Sequence, residues 1–211
     1  RRRMQWVGWG MAVATEAALH TNTDLRRGIV GVSLRSAATA EALGPQQGLY
    51  TLALRDSDQQ GTARERLQVI GAMPHLLVAP AGPDAVLYRI ANADTRIVSL
   101  TVTEKGYHHD PASRRLRFAD ADIEHDLNRP DEPRTTIGFI VHGLQRRRAR
   151  GLPGLTLLSC DNLPANGDTL GALVHEFAAR CEPALVEWIE RHCTFPNSMV
   201  DRIVPRTTEA D

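Results

Sequence analysis

Leu155-Thr-Leu-Leu-Ser-Cys-Asp-Asn-Leu-Pro-Ala-Asn-Gly-Asp168 changes character halfway along. Leu155 to Ser159 is a short, mostly apolar run of the kind that forms a buried strand. Cys160, Asp161 and Asn162 then make a polar tip. Asn166-Gly167 predicts a left-handed turn, and Asp168 or Thr169 predicts a helix N-cap. The helical pattern over Gly171 to Cys193 follows, as one or two helices with a break or first-turn proline at Pro183. A strand that turns into a helix is the repeating unit of α/β folds. Open sheets built this way hold ligands beyond the carboxyl ends of their strands. The polar tip is equally explained as a turn with a cap, so the rest of the chain decides between the two.

The same alternation recurs on both sides. Met4 to Gly8 reads as a short strand and Ala12 to Leu19 as an Ala-rich helix. Gly28 to Leu34 is a β-branched run, expected as a buried parallel strand. Ala37 to Leu43 predicts a short helix ended by Gly44-Pro45. Leu49 to Leu54 and Arg66 to Ile70 predict an antiparallel hairpin across the polar turn at Asp56 to Gly61. Asp84 to Ala91 is helical behind Pro83, and Arg96 to Thr103 is the strongest strand pattern in the chain. Asp120 to Leu127 and Thr135 to Arg150 predict two more helices, the second with apolar spacing at Ile137, Ile140, Val141 and Leu144. Met199, Val200, Ile203 and Val204 are the apolar positions of the closing segment. Together these elements predict an α/β fold: a Rossmann-like, doubly wound, mostly parallel sheet with an antiparallel hairpin, in one domain over residues 1–211.

Composition narrows the function classes. Lys+Arg and Asp+Glu are both 25, so the formal net charge is zero and gives no support to nucleic-acid or acidic-membrane binding. The basic run Arg146-Arg147-Arg148 reads as a solvated helix face. No apolar run is long enough to span a bilayer, and Arg1 to Gly10 lacks the apolar core of a signal peptide. The three widely spaced cysteines, 160, 181 and 193, fit reduced thiols and a cytoplasmic protein. They form no Cys-x-x-Cys pair, and His108, His109 and His125 have no carboxylates at ligand spacing, so no metal is expected.

The candidate chemistry lies at the strand tips. Gly8-Trp9-Gly10 would let the backbone approach a pyrophosphate, or is an ordinary turn; the third glycine of the fingerprint is absent. Arg35-Ser36 follows the next strand where an acid often binds ribose. The pair would suit a 2′-phosphate, or is a solvated strand end. Thr101-Val-Thr-Glu-Lys-Gly-Tyr107 gathers hydroxyls, an acid, a base and a phenol at one tip, as a site or as a solvated Glu104–Lys105 pair. Asn162 offers an amide that can donate to a developing alkoxide, or fills an Asx turn or cap.

Five stretches in order resemble the mannitol dehydrogenase and fructuronate reductase family, the polyol-specific long-chain dehydrogenases. They are Gly31 to Ser36, Gly48 to Leu52, Thr101 to Tyr107, Ser159 to Gly167 and Phe195-Pro-Asn-Ser-Met-Val-Asp-Arg-Ile-Val-Pro205. The resemblance implies hydride transfer between NAD or NADP and a sugar acid or polyol, without a metal. It assigns Asn162 to the reacting oxygen, Glu104 to a proton path and Asp201 to a position near the catalytic residues. Gly8, Gly10, Arg35, Ser36 and Thr103 become the cofactor-binding set. Glu104-Lys-Gly-Tyr107 with His108-His109-Asp110 leans toward the fructuronate branch. Met11 to Glu16 stands where the family has a Phe-His-Arg-x-His run. The chain stops at Asp211, before the family's helical C-terminal domain with its catalytic Lys, Asn and His. That domain is expected to be a missing partner, docking on an exposed apolar patch.

Overall fold

A computed structural model describes residues 28–57 and 63–200. The candidate residues Gly8, Gly10 and Asp201, and the predicted strand and helix before residue 28, lie outside these described residues. Contacts divide the chain into two units, Arg1–Leu77 and Val78–Asp211.

The first unit contains β1 (Val30–Ser33), α1 (Ala38–Leu43), β2 (Tyr50–Ser57), β3 (Ala63–Ile70) and most of β4 (His75–Val78). β1 is hydrogen-bonded to β4, a strand the sequence reading missed. β1 is half-buried rather than fully buried: Gly31 is its buried residue, packed under Leu76 and Met73. β2 and β3 form the expected antiparallel hairpin, with Tyr50 opposite Ile70 and Leu52 opposite Gln68. Alternation sets its two faces. Tyr50, Leu52 and Ile70 join Leu43, Ala72 and Met73 in the core, while Leu49, Leu67 and Val69 are exposed on the other face. Gly44-Pro45 does not end α1 abruptly. It continues into a 3₁₀ turn, and the reversal falls on Gln47 and Gly48, both at positive φ.

The second unit contains α2 (Pro83–Ile90), β5 (Ile97–Leu100), α3 (Ala121–Asn128), α4 (Thr136–Ala149), β6 (Thr156–Ser159), α5 (Asn166–Cys181) and α6 (Pro183–His192). β5 and β6 pair in parallel, from Ile97 opposite Thr156 to Leu100 opposite Ser159, so their carboxyl ends share one edge. α4 is the central helix. Every residue from Thr136 to Leu144 is buried, not only the apolar stripe read from the sequence. A helix covered on all sides needs small residues where neighbours press close. Gly138 faces Asp126 and Gly143 faces Ile90. Thr135 caps α4, accepting from the Gly138 N–H at 3.0 Å.

The basic run on α4 is not a solvated face. Arg146 pairs with Asp84 and Asp131, and Arg148 with Glu182. Arg147 is fully buried and donates to the carbonyls of Pro153, Ile90 and Asn92 at 2.8, 2.8 and 2.6 Å. Two of these carbonyls lie at the carboxyl end of α2, where a cation is favoured by the helix dipole. Charge patterning misses this because carbonyl partners leave no mark on a count of acidic residues.

Candidate functional site

The site is the shared edge beyond β5 and β6. β5 ends at Leu100 although the apolar pattern runs on to Thr103. The reason is a competing acceptor. The Asp161 carboxylate takes the Val102 N–H at 3.1 Å and the Thr103 N–H at 3.0 Å. Those amides cannot then continue a strand ladder.

Asp161 is buried, and its third partner is the Tyr107 phenol, which donates to it at 2.7 Å. The phenol has one hydrogen, so the 2.6 Å contact with Ser159 makes Ser159 the donor there. Burial, together with the Asp161 carboxylate, pushes the Tyr107 phenol far above its ordinary pKa and keeps it a donor. The Cys160 thiol is likewise pushed up, by burial and then by Asp161, which disfavours its thiolate.

This bracing holds an unusual backbone. Thr103 sits at φ 65°, ψ 162°, a region that β-branched residues avoid, at a cost of about 1–3 kcal/mol. The chain then turns through the 3₁₀ segment Glu104–Tyr107. Thr103 and Glu104 are both exposed. Asn162, next to Asp161, is exposed as well. Among the described residues no hydrogen bond occupies the Asn162 amide and no ion pair occupies Glu104. Among the described residues Asn162 thus makes neither an Asx-turn nor a cap bond, while Glu104 and Lys105 are both exposed to solvent.

The cap of α5 comes from elsewhere. The left-handed residue is Ala165, at φ 47°, not Asn166 or Gly167, which already belong to the helix. Nor does Asp168 or Thr169 cap it. Asn197 Oδ1 accepts from the Gly167 and Asp168 N–H groups at 2.8 and 3.2 Å. Asn166 donates to the carbonyls of Asp161 and Ser198, and Ser198 donates through its hydroxyl to the Ser159 carbonyl at 2.6 Å. The segment from Phe195 to Ser198 is thus fastened along the site edge. Sequence reading singled out Asn162, put Asp161 at the polar tip without a role and Asn166 in a turn, and gave no role to Ser159, Asn197 or Ser198. It had Tyr107 only as part of a polar cluster. A local motif does not show which amide loses its ladder partner.

The predicted site residues thus separate into three groups. Thr103, Glu104 and Asn162 come together at adjoining tips. Arg35 and Ser36 are exposed after β1 in the first unit. Gly8, Gly10 and Asp201 are outside the described residues. Among the described residues, no group of three His, Cys, Asp or Glu could hold a metal. His108 instead faces Asp120 at 3.1 Å, and His125 Nε2 lies 3.0 Å from the Glu132 carbonyl.

Parallel strands feeding helices, with a braced polar edge at the strand ends, define a Rossmann-type α/β domain. A family model described as the mannitol dehydrogenase Rossmann domain matches residues 11–211, and the chain belongs to that family. Mannitol 2-dehydrogenase of Pyricularia oryzae is 38% identical over 184 residues, 86% of this chain and 36% of the relative. That of Neosartorya fischeri is 40% identical over 194 residues, 91% of this chain and 38% of the relative. Among solved structures, Pseudomonas fluorescens mannitol 2-dehydrogenase in a ternary complex with NAD and D-mannitol superposes with a TM-score of 0.86 at 38% identity. The match covers 98% of this chain and 42% of that one. A substrate-free D-sorbitol dehydrogenase gives 0.83 at 34% identity, covering 96% and 43%. The chain therefore spans well under half the length of these relatives.

Proposed function

We propose that this chain is the nucleotide-binding part of an NAD(P)-dependent oxidoreductase that moves a hydride between the nicotinamide and a polyol or sugar acid. The mannitol and fructose pair is the favoured substrate, because the relatives above are mannitol and sorbitol dehydrogenases. Fructuronate and mannonate are the second substrate class. The observation that carries the reading is the set of unspent polar groups, Thr103, Glu104 and Asn162, on a braced edge at the ends of two parallel strands. Such an edge is where open α/β sheets take dinucleotides. The whole of residues 1–211 is read as one dinucleotide-binding domain.

The nicotinamide, when bound, supplies the hydride acceptor or donor. The protein's part is to hold the other atoms. The Asn162 amide donates to the reacting oxygen and favours the charge that builds there. Glu104 lies one residue from Thr103 and offers a carboxylate to the proton leaving the site. Arg35 and Ser36 are the groups for the adenosine ribose or its 2′-phosphate, and Gly8 and Gly10 those for the pyrophosphate. Thr103 completes the cofactor set, and Asp201 the catalytic one. The base that takes the hydroxyl proton is expected on the C-terminal part of the relatives, which this chain does not span. A second reading, a dinucleotide-binding fragment without turnover, is favoured by that same shortfall in length. No helix among the described residues is long and apolar enough to cross a membrane. A cytoplasmic location is part of the proposal, supported by three cysteines that are all free thiols.

The test is a titration of the purified chain with NADH and NADPH, followed by nicotinamide fluorescence. Saturable binding is expected, and the preference between the two reports on Arg35 and Ser36. A folded chain that binds neither would overturn the proposal. Assays with mannitol and with mannonate then separate an active domain from a fragment that only binds.

A further inference from the structure

We infer that Asp161 is a positioning residue for the nicotinamide end of the site, acting through Thr103 and Glu104. The inference rests on the dinucleotide reading above and deepens it. Asp161 itself is buried and faces inward, so it does not touch ligand. Its carboxylate instead ties the two strand tips together. It sits on the β6 side and accepts the N–H groups of Val102 and Thr103 on the β5 side. Its main-chain carbonyl accepts from Asn166 at 3.1 Å, which fixes Asp161 to the start of α5. Tyr107, at the far end of the 3₁₀ turn that begins with Glu104, donates to the same carboxylate at 2.7 Å. The turn is therefore held at both ends by one side chain.

Thr103 shows why this hold matters. At φ 65°, ψ 162° it occupies a conformation natural only to glycine. Released from the carboxylate, its backbone would relax toward the extended region. Glu104 follows directly and would swing with it. A carboxylate is suited to the task because it has acceptor sites for all three donors at once and no donor of its own. An asparagine here would turn an N–H₂ toward either an amide or the phenol. The mere need to bury a polar group does not explain a threonine at this backbone. A glycine would serve the turn without strain, whereas a threonine adds a hydroxyl at this exposed position.

The experiment compares the full chain with D161N, Y107F and D161N/T103G. Readouts are thermal melting, amide exchange at Val102 and Thr103, and NADH fluorescence titration. In D161N, exchange at Val102 and Thr103 should rise at least tenfold, while Gly167 and Asp168, held by Asn197, stay unchanged. NADH should bind within about threefold of the parent affinity, but most of the change in nicotinamide emission should be lost. Y107F, the milder variant, should move the same readouts in the same direction and serves if D161N does not fold. T103G in the D161N background should restore melting without restoring the emission change. Unchanged exchange, or an unchanged emission signal in folded D161N or Y107F, would overturn the role of Asp161 alone. Absence of binding by the parent chain would overturn the dinucleotide reading, and this role with it.

Discussion

Burying a guanidinium without a carboxylate is costly, and Arg147 offsets the cost with three main-chain carbonyls. Its burial depresses its pKa, but an arginine remains charged. R147M would leave those carbonyls unpaired and is expected to lose about 2–5 kcal/mol. Urea unfolding should show it as a lower midpoint at unchanged slope. R147K should also destabilise, because one ammonium does not reproduce the fork. Two carboxyls are held low in the folded state and contribute to acid sensitivity. Asp110 is held below its ordinary value of 3.8 mainly by the N–H groups of Ser113 and Ala112. For Asp120 burial works upward, but hydrogen bonds from His108 and the Asp122 N–H outweigh it and the net shift is down. A carboxyl depressed in the folded state contributes stability that is present above its unfolded pKa and is lost as pH falls through the folded one. Melting temperature should therefore hold from neutrality to about pH 4 and fall below it. D120N should flatten that fall.

At the scale of elements, α5 and the segment from Phe195 to Ser198 depend on each other. The helix lacks a capping side chain of its own, and Asn197 supplies one from 30 residues on in the chain. Gly167 makes the approach possible. A Cβ there would overlap the carbonyl oxygens of Pro196 and Phe195. G167A should cost about 1–3 kcal/mol through overpacking. It should also speed amide exchange at Ser198, whose N–H donates to Asn166 Oδ1 at 2.9 Å. Exchange at Ser198 equal to that of the parent would show that the segment is held without this contact. The short β5 belongs to the same scale. Its pattern was legible as a strand, but its end was set by a carboxylate 61 residues after Leu100, at Asp161.

For the whole molecule the decisive fact is length. The chain covers 36–38% of the curated relatives it matches. Joined to the C-terminal part of one such relative, it is expected to turn over mannitol at least about 100-fold faster than alone, the lower bound for a positioned proton-transfer group. Equal rates with and without that part would show that this chain carries its own base. Leu67 and Val69 in the first unit, and Ile97 and Met199 in the second, are exposed. Single exposed hydrophobes are ordinary on protein surfaces, and they identify no partner by themselves.

What the sequence determined by itself is whatever rests on local periodicity and turn chemistry. The β2–β3 hairpin, the helices behind Pro83 and Pro183, the Thr135 start of α4 and the polar tips Thr103-Glu104 and Asn162 were all legible there. So was the family, because its motifs are long and contiguous. The tertiary structure alone decided what depends on partners distant in sequence. Burial of Arg147 depends on carbonyls up to 57 residues away. The end of β5 and the φ of Thr103 depend on Asp161, and the start of α5 depends on Asn197. Backbone donors and acceptors are the same at every residue except proline, which lacks the N–H. A sequence therefore shows where a side chain can take one, but only the fold shows which one is left for it to take.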